Sequence, residues 1–268
     1  MRTIAHPAAR VEVFDDARDA CRAAADRIAT TIGHAVAARG RAAIGLATGA
    51  TPVLVYADLV ARHRAGSLSF RDVATYNLDE YYPISPCDPR SYRMFMYKHL
   101  FSHVDLPANR AHVLDGSVPE GAVGAHAKEF DRWIAADGGL DLQLLGIGRN
   151  GHIGFNEPMG LAEAEALGLP SRMIRLAAET RALYADEFGG LDGVPERALT
   201  VGVAPILAAR SILVLAFGPA KAEPVARSLA GPMTAQIPGS LLQAAPGRVT
   251  WLLDPAAASR LQEVWSAE

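Results

Sequence analysis

The chain has 268 residues, half of them hydrophobic and 21% charged, a balance that excludes a disordered chain, which cannot bury enough apolar surface to offset its ordering entropy. Its 24 glycines and 17 prolines follow no repeating register, which excludes a collagen-like fibre, and no apolar run approaches the roughly 18–20 residues that cross a bilayer. With 26 Lys and Arg against 29 Asp and Glu, the net charge is −3 and the arginines are scattered, so no nucleic-acid partner and no membrane partner is expected.

A helix is expected over 16–38, capped by Asp15 or Asp16 and ended by Gly40, with Cys21, Ala25, Ile28, Ile32 and Val36 on one face. A short apolar run at 42–47 reads as a buried strand, 48–51 as a turn, and Pro52 as the start of a helix. The same strand–turn–helix unit recurs. Strands are expected at 73–78, 111–114, 142–147, 198–203, 212–217 and 248–253, and helices at 92–101 and 124–135 and from Pro219 and Pro255. Apolar strands alternating with helices give the fold class: α/β, Rossmann-like, a mostly parallel sheet with helices on both faces. Residues 1–268 are expected to form one domain, and the irregular, charged and Gly-containing stretch at 159–193 a mobile flap over the active site. Cys21 and Cys87 are too few for a disulfide framework and lack zinc spacing. The first residues lack the apolar core of a signal peptide, so a cytoplasmic location is expected.

Ligands of open α/β sheets bind beyond the carboxyl ends of the strands. Four such ends carry chemistry. At 48–52, small residues and the hydroxyls of Thr48 and Thr51 precede a helix N-terminus, which suits a phosphate, although an ordinary tight turn reads the same way. At 77–82, Asp79 and Glu80 form an adjacent carboxylate pair, either fixing a loop or tuned as a general base. At 146–158, Gly148, Gly151 and Gly154 surround His152, and Glu157 lies near enough around the turn to orient the imidazole. At 217–221, Lys221 sits in the first turn of a helix, where an anionic ligand explains it better than helix stability. A phosphate grip combined with proton-transfer groups suits a sugar phosphate undergoing ring opening and isomerisation. No metal-ligand spacing stands out, and no cofactor is expected.

The stretches GLATGATP (45–52), YNLDEYY (76–82), SYRMFMYKHLF (91–101), GIGRNGHIGFNEP (146–158), LTVGV (199–203) and IPGSLLQ (237–243) together resemble the glucosamine-6-phosphate deaminase/isomerase family. That resemblance implies aldose–ketose isomerisation of a small amino-sugar phosphate with loss of ammonia. It implies that Asp79 moves a proton between C2 and C1, that His152, oriented by Glu157, assists ring opening, and that Thr48, Gly49, Thr51 and Lys221 hold the phosphate. The candidate catalytic set is Asp79, His152, Glu157 and Asn150. The candidate substrate- and phosphate-binding set is Thr48, Gly49, Ala50, Thr51, Lys221, Glu80, Gly148, Gly151 and Arg181.

The chain also departs from the family. Asn150 stands where an Asp is the alternative, so any charge relay rests on Glu157. Arg172 matches one basic effector position but Ile174 replaces another, so activation by an N-acetyl sugar phosphate is not expected. Asp186 falls where the family's flap supplies a phosphate-binding Arg, so that either the pairing of the two sequences is shifted there, or Arg175 or Arg181 substitutes, or the substrate differs. The NLDEYY and FNEP runs weigh against a 6-phosphogluconolactonase, and the lack of a helix-turn-helix pair against a sugar-phosphate sensor. Galactosamine 6-phosphate remains an alternative substrate, and a homo-oligomer is left open.

Overall fold

The computed structural model describes residues 1–4 and 9–261. In chain order the elements are β1 (Arg2–Ile4), β2 (Arg10–Val13), α1 (Ala17–Arg39), β3 (Ala42–Leu46), α2 (Val53–Arg64), β4 (Val73–Asn77), β5 (Asp79–Tyr82), α3 (Tyr92–His99), β6 (Ala111–His112), α4 (Val123–Ala136), β7 (Leu142–Gly146), α5 (Glu163–Leu167), β8 (Arg172–Arg175), α6 (Ala178–Leu183), β9 (Arg197–Thr200), α7 (Val203–Leu207), β10 (Ile212–Ala216), α8 (Ala222–Leu229) and β11 (Val249–Leu253). The capping signals act where they stand in the sequence. The Asp16 carboxylate accepts the Asp19 amide at 2.8 Å to start α1, and Gly40 ends it in the left-handed region at φ 72°.

The main sheet runs β1-β2-β11-β10-β7-β3-β4-β6. Every neighbour in it is parallel except the β1–β2 pair at one edge. Successive side chains of a strand point to opposite faces, and both faces are apolar here. Ile212, Val214 and Ala216 of β10 pack with Phe130 and Ile134 of α4 and Val225 and Leu229 of α8. Leu213 and Leu215 pack with Ile28 of α1 and Leu59 of α2 on the other face. Two helical layers thus sandwich the sheet, as the fold class required.

Several elements differ from the sequence expectation. The strand expected at 198–203 is β9, and it lies outside the main sheet, in a small antiparallel sheet of order β5-β9-β8. A four-residue apolar strand carries no mark of which sheet will take it. The stretch 159–193 is not irregular throughout, because it holds α5, β8 and α6, each too short to show a period. β1 and β2 were not foreseen in their polar sequences. Residues 219–221 form a 3-10 turn before α8. The helix expected from Pro255 is a run of turns through Arg260, and residues 262–268 lie outside the described residues. Among the described residues, no helix is long and apolar enough to cross a membrane.

Candidate active site

β4 and β6 lie to one side of β3, and β7, β10 and β11 to the other, so the strand order reverses between β3 and β7. Chains leaving these two strands diverge, and a crevice opens beyond their carboxyl ends. A cavity of about 300 Å³ occupies it. Its wall is built from 47–51 after β3, Leu78 and Asp79 after β4, 146–148 and His152 after β7, and Lys221 after β10. The stretch 159–193 closes it with Leu183 and Tyr184, and Glu187 lies beside them.

Asp79 opens β5, the strand that leaves the main sheet for the small one. The Thr48 hydroxyl donates to its Oδ1 at 3.5 Å. Burial, reinforced by the neighbouring Glu80 charge, pushes its pKa up to about 8, with the Thr48 hydrogen bond working the other way. Glu80 is the next residue in the strand and faces the opposite side. Its carboxylate accepts the amides of Tyr81 (2.9 Å), Tyr92 (2.9 Å) and Arg93 (3.0 Å), two of them at the start of α3. Burial still raises its pKa to about 7 against those three bonds. Glu80 is therefore a helix-capping carboxylate directed away from the cavity, and its expected place in the substrate-binding set is corrected.

His152 is held by a tight turn. The Gly148 amide donates to the His152 carbonyl at 2.8 Å, and the Gly151 amide to the Gly148 carbonyl at 3.1 Å. The imidazole lies so close over this turn that a Cβ on Gly148 would sit 2.3 Å from a ring carbon. Gly151 has φ 87°, a backbone conformation that glycine reaches without strain. His152 Nδ1 lies 3.4 Å from Glu157 Oε2. Asn150 braces the pair, donating its amide to Glu157 Oε2 at 2.8 Å and accepting the His152 amide at 3.2 Å. Burial works to raise the Glu157 pKa, but His152, with hydrogen bonds from Thr180 and Asn150, holds it below the usual glutamate value. Gly148 and His152 reach the cavity wall, while Gly151, Asn150 and Glu157 stand behind it.

At the far end, the Lys221 ammonium donates to the Ile147 carbonyl at 2.6 Å. Burial, with the nearby Arg149 charge, lowers its pKa from the ordinary lysine value. Thr48, Gly49, Ala50 and Thr51 complete this end. Arg181 does not. Its guanidinium donates to the Leu191 (2.9 Å) and Val194 (3.0 Å) carbonyls, folding back on its own segment, so its expected contact with phosphate is corrected. Arg175 pairs with Glu196 at 3.1 Å on the surface, and Asp186 is exposed and off the cavity wall.

The sequence reading did not find Tyr92, Phe155, Tyr184 or Glu187, which also line the cavity. The aromatic ones belong to a cluster centred on Tyr81, whose ring lies 4.9 Å from Tyr92, 5.7 Å from Phe155, 6.0 Å from Tyr184 and 5.0 Å from Phe188. Their one signal was the density of aromatics in YNLDEYY and SYRMF, which reads equally as core.

The fold and site define a class: an α/β protein with a buried carboxylate of raised pKa, an imidazole 3.4 Å from a second carboxylate and a cationic end at its topological switch point. The family model for glucosamine-6-phosphate isomerases/6-phosphogluconolactonase matches residues 15–251, and the chain belongs to that family. A glucosamine-6-phosphate deaminase of Rhodopirellula baltica is 43% identical over 90% of this chain and 92% of its own length. One of Bacillus velezensis is 42% identical over 87% and 93%. The solved structure of a monomeric glucosamine-6-phosphate deaminase superposes with a TM-score of 0.85 at 36% identity, covering 93% of this chain and 98% of that one. A 6-phosphogluconolactonase from Trypanosoma brucei, at 20% identity and a TM-score of 0.77, shares the fold.

Proposed function

We propose that the protein converts glucosamine 6-phosphate and water into fructose 6-phosphate and ammonia. One observation carries the reading: Asp79, buried and with a raised pKa, shares a cavity with the His152–Glu157 pair, while Lys221 and the 48–51 turn form its cationic, donor-rich end. The relatives named above support it.

In this reading the 48–51 turn and Lys221 bind the phosphate, and the sugar lies between Asp79 and His152. His152 moves the proton between the C1 hydroxyl and the ring oxygen, so that the ring opens to an aldehyde. Asp79, as carboxylate, takes the proton from C2, the electrons shift toward O1, and O1 takes the proton that the substrate ammonium gives up, which yields a neutral enol-amine. Asp79 then returns its proton to C1, leaving an iminium at C2. Water adds to C2, and the C–N bond breaks to release ammonia and leave the ketone. A carboxylate with a pKa near the working pH suits both halves of the transfer. The stretch 159–193 acts as a lid that holds the intermediate in the cavity and limits access to the water that adds at C2.

The test is the stoichiometry of ammonia and fructose 6-phosphate released from glucosamine 6-phosphate. Equal molar release is expected. Release only from galactosamine 6-phosphate would change the substrate, and release from neither would refute the reading.

A further inference from the structure

A phosphate monoester carries between one and two negative charges at neutral pH. The cavity wall supplies a single cationic side chain, Lys221. The arginines of the neighbouring flap are engaged elsewhere. Arg172 donates to Asn156 Oδ1 at 2.9 Å, Arg175 pairs with Glu196, and Arg181 is tied to the Leu191 and Val194 carbonyls.

Arg149 is placed differently. It is a central residue of the turn closed by the Gly151 amide on the Gly148 carbonyl. It follows Gly148, which is part of the cavity wall, and stands two residues after Ile147, whose carbonyl holds the Lys221 ammonium. Its side chain is exposed, and its charge acts on Lys221. Among the described residues, neither Arg149 nor Lys221 has a carboxylate partner. Arg149 is not itself on the cavity wall, but its exposed side chain leaves the turn that borders it, and an anion bound beside Lys221 would draw the two like charges together instead of leaving them to repel. Thr48 and Thr51 bring hydroxyl donors to the same cavity. A guanidinium also presents a planar fork that matches two phosphate oxygens.

We propose that Arg149 is the second cation of the phosphate site, closing over the substrate phosphate from the turn after β7 opposite Lys221. This rests on the sugar-phosphate reading above and takes that reading further: the phosphate is gripped from the sheet side of the cavity, and the flap supplies no cation.

Isothermal titration of inorganic phosphate, glucosamine 6-phosphate and unphosphorylated glucosamine to the parent, R149Q, R149K and R175Q, with the glucosamine 6-phosphate titrations made in the Asp79→Asn background so that the ligand is not turned over, tests it. R149Q is expected to weaken both phosphorylated ligands roughly 10-fold, in line with the loss of one charge-assisted hydrogen bond, and to leave glucosamine unchanged. R149K should recover part of the loss, because it restores the charge without the fork. R175Q, which removes one positive charge from the flap, should match the parent. In turnover, R149Q should raise KM with kcat within about 2-fold of the parent. Parent-like phosphate binding in R149Q would overturn the assignment and leave the sugar-phosphate reading standing. Equal weakening in R175Q would also overturn it, as an effect of net charge alone. A parent that binds neither phosphorylated ligand would overturn both.

Discussion

The two sides of the cavity are built on different principles. The sheet side hangs Asp79, His152 and Lys221 on the carboxyl ends of parallel strands whose registers are locked on both flanks. The flap side is a set of short elements joined to the molecule through the β8–β9 ladder and the aromatic cluster around Tyr81. The sheet side carries the carboxylate and the ammonium whose pKa values burial displaces, Asp79 and Lys221, while on the flap side burial raises the Tyr184 phenol. The flap side contributes Leu183, the Tyr184 ring and a single carboxylate, Glu187, to the cavity wall, with its arginines directed away. In the proposed reaction, proton transfer falls to the sheet half and enclosure to the other, since proton transfer tolerates little misplacement and a lid must open.

The largest test of that division is Asp79→Asn. It should lower kcat by about 10³-fold or more, the upper range for a general base, while glucosamine 6-phosphate still binds. The same variant should become more stable than the parent as pH rises. The folded pKa of Asp79, about 8, lies above the ordinary aspartate value of 3.8, so the parent is stabilised by this group below that value and loses the contribution as pH rises through about 8. Melting temperatures of parent and variant should therefore agree near pH 4 and separate progressively, with the variant higher, up to pH 9. Agreement at pH 9 would show that Asp79 is not buried as described.

Gly148→Ala comes next. The added methyl must displace the His152 ring, and kcat should fall by about 10²-fold with little change in melting temperature. A kcat at the parent level would remove His152 from the chemistry.

On the flap side, Phe188→Ala deletes a ring packed 5.0 Å from Tyr81 and lying under the Arg90 guanidinium at 4.9 Å. A truncated buried Phe costs about 3–5 kcal/mol, here taken up by local opening of the flap. Faster hydrogen exchange across 178–194 and a KM raised about 10-fold are the expected readouts, with the amides of β3 and β7 unaffected. Exchange that speeds up equally in both regions would erase the distinction between the two halves. The smallest kinetic effect is expected from Lys221→Ala, which should raise KM with kcat nearly constant, as for a group that binds ground state and transition state alike.

What was legible in the sequence follows the same division. A polar residue at the end of an apolar strand stands out, which is why the sequence alone marks Asp79, His152 and Lys221 as candidates. The caps at Asp16 and Gly40 were equally local. The roles of Asp79 and Glu80 could not be separated, because which of two adjacent carboxylates faces the cavity depends on the register of β5 against β9, more than a hundred residues away in the chain. Arg181 failed for a similar reason: its partners, the carbonyls of Leu191 and Val194, become available only once the segment folds back on itself. α5 and α6 span five and six residues, less than two helical turns, so no period marked them.

The central claim is that a carboxylate buried at a fixed strand end, its pKa raised by burial and by Glu80, performs the proton transfer. The pH dependence of kcat/KM in the parent and in Glu80→Gln tests it most directly. The substrate phosphate titrates near pH 6 in both, so the difference between the two profiles isolates the enzyme. The expected result is an acid limb at about pH 8 in the parent that moves to lower pH in Glu80→Gln, where the neighbouring negative charge is gone. A limb that stays in place, or a parent profile flat from pH 7 to 9, would contradict it.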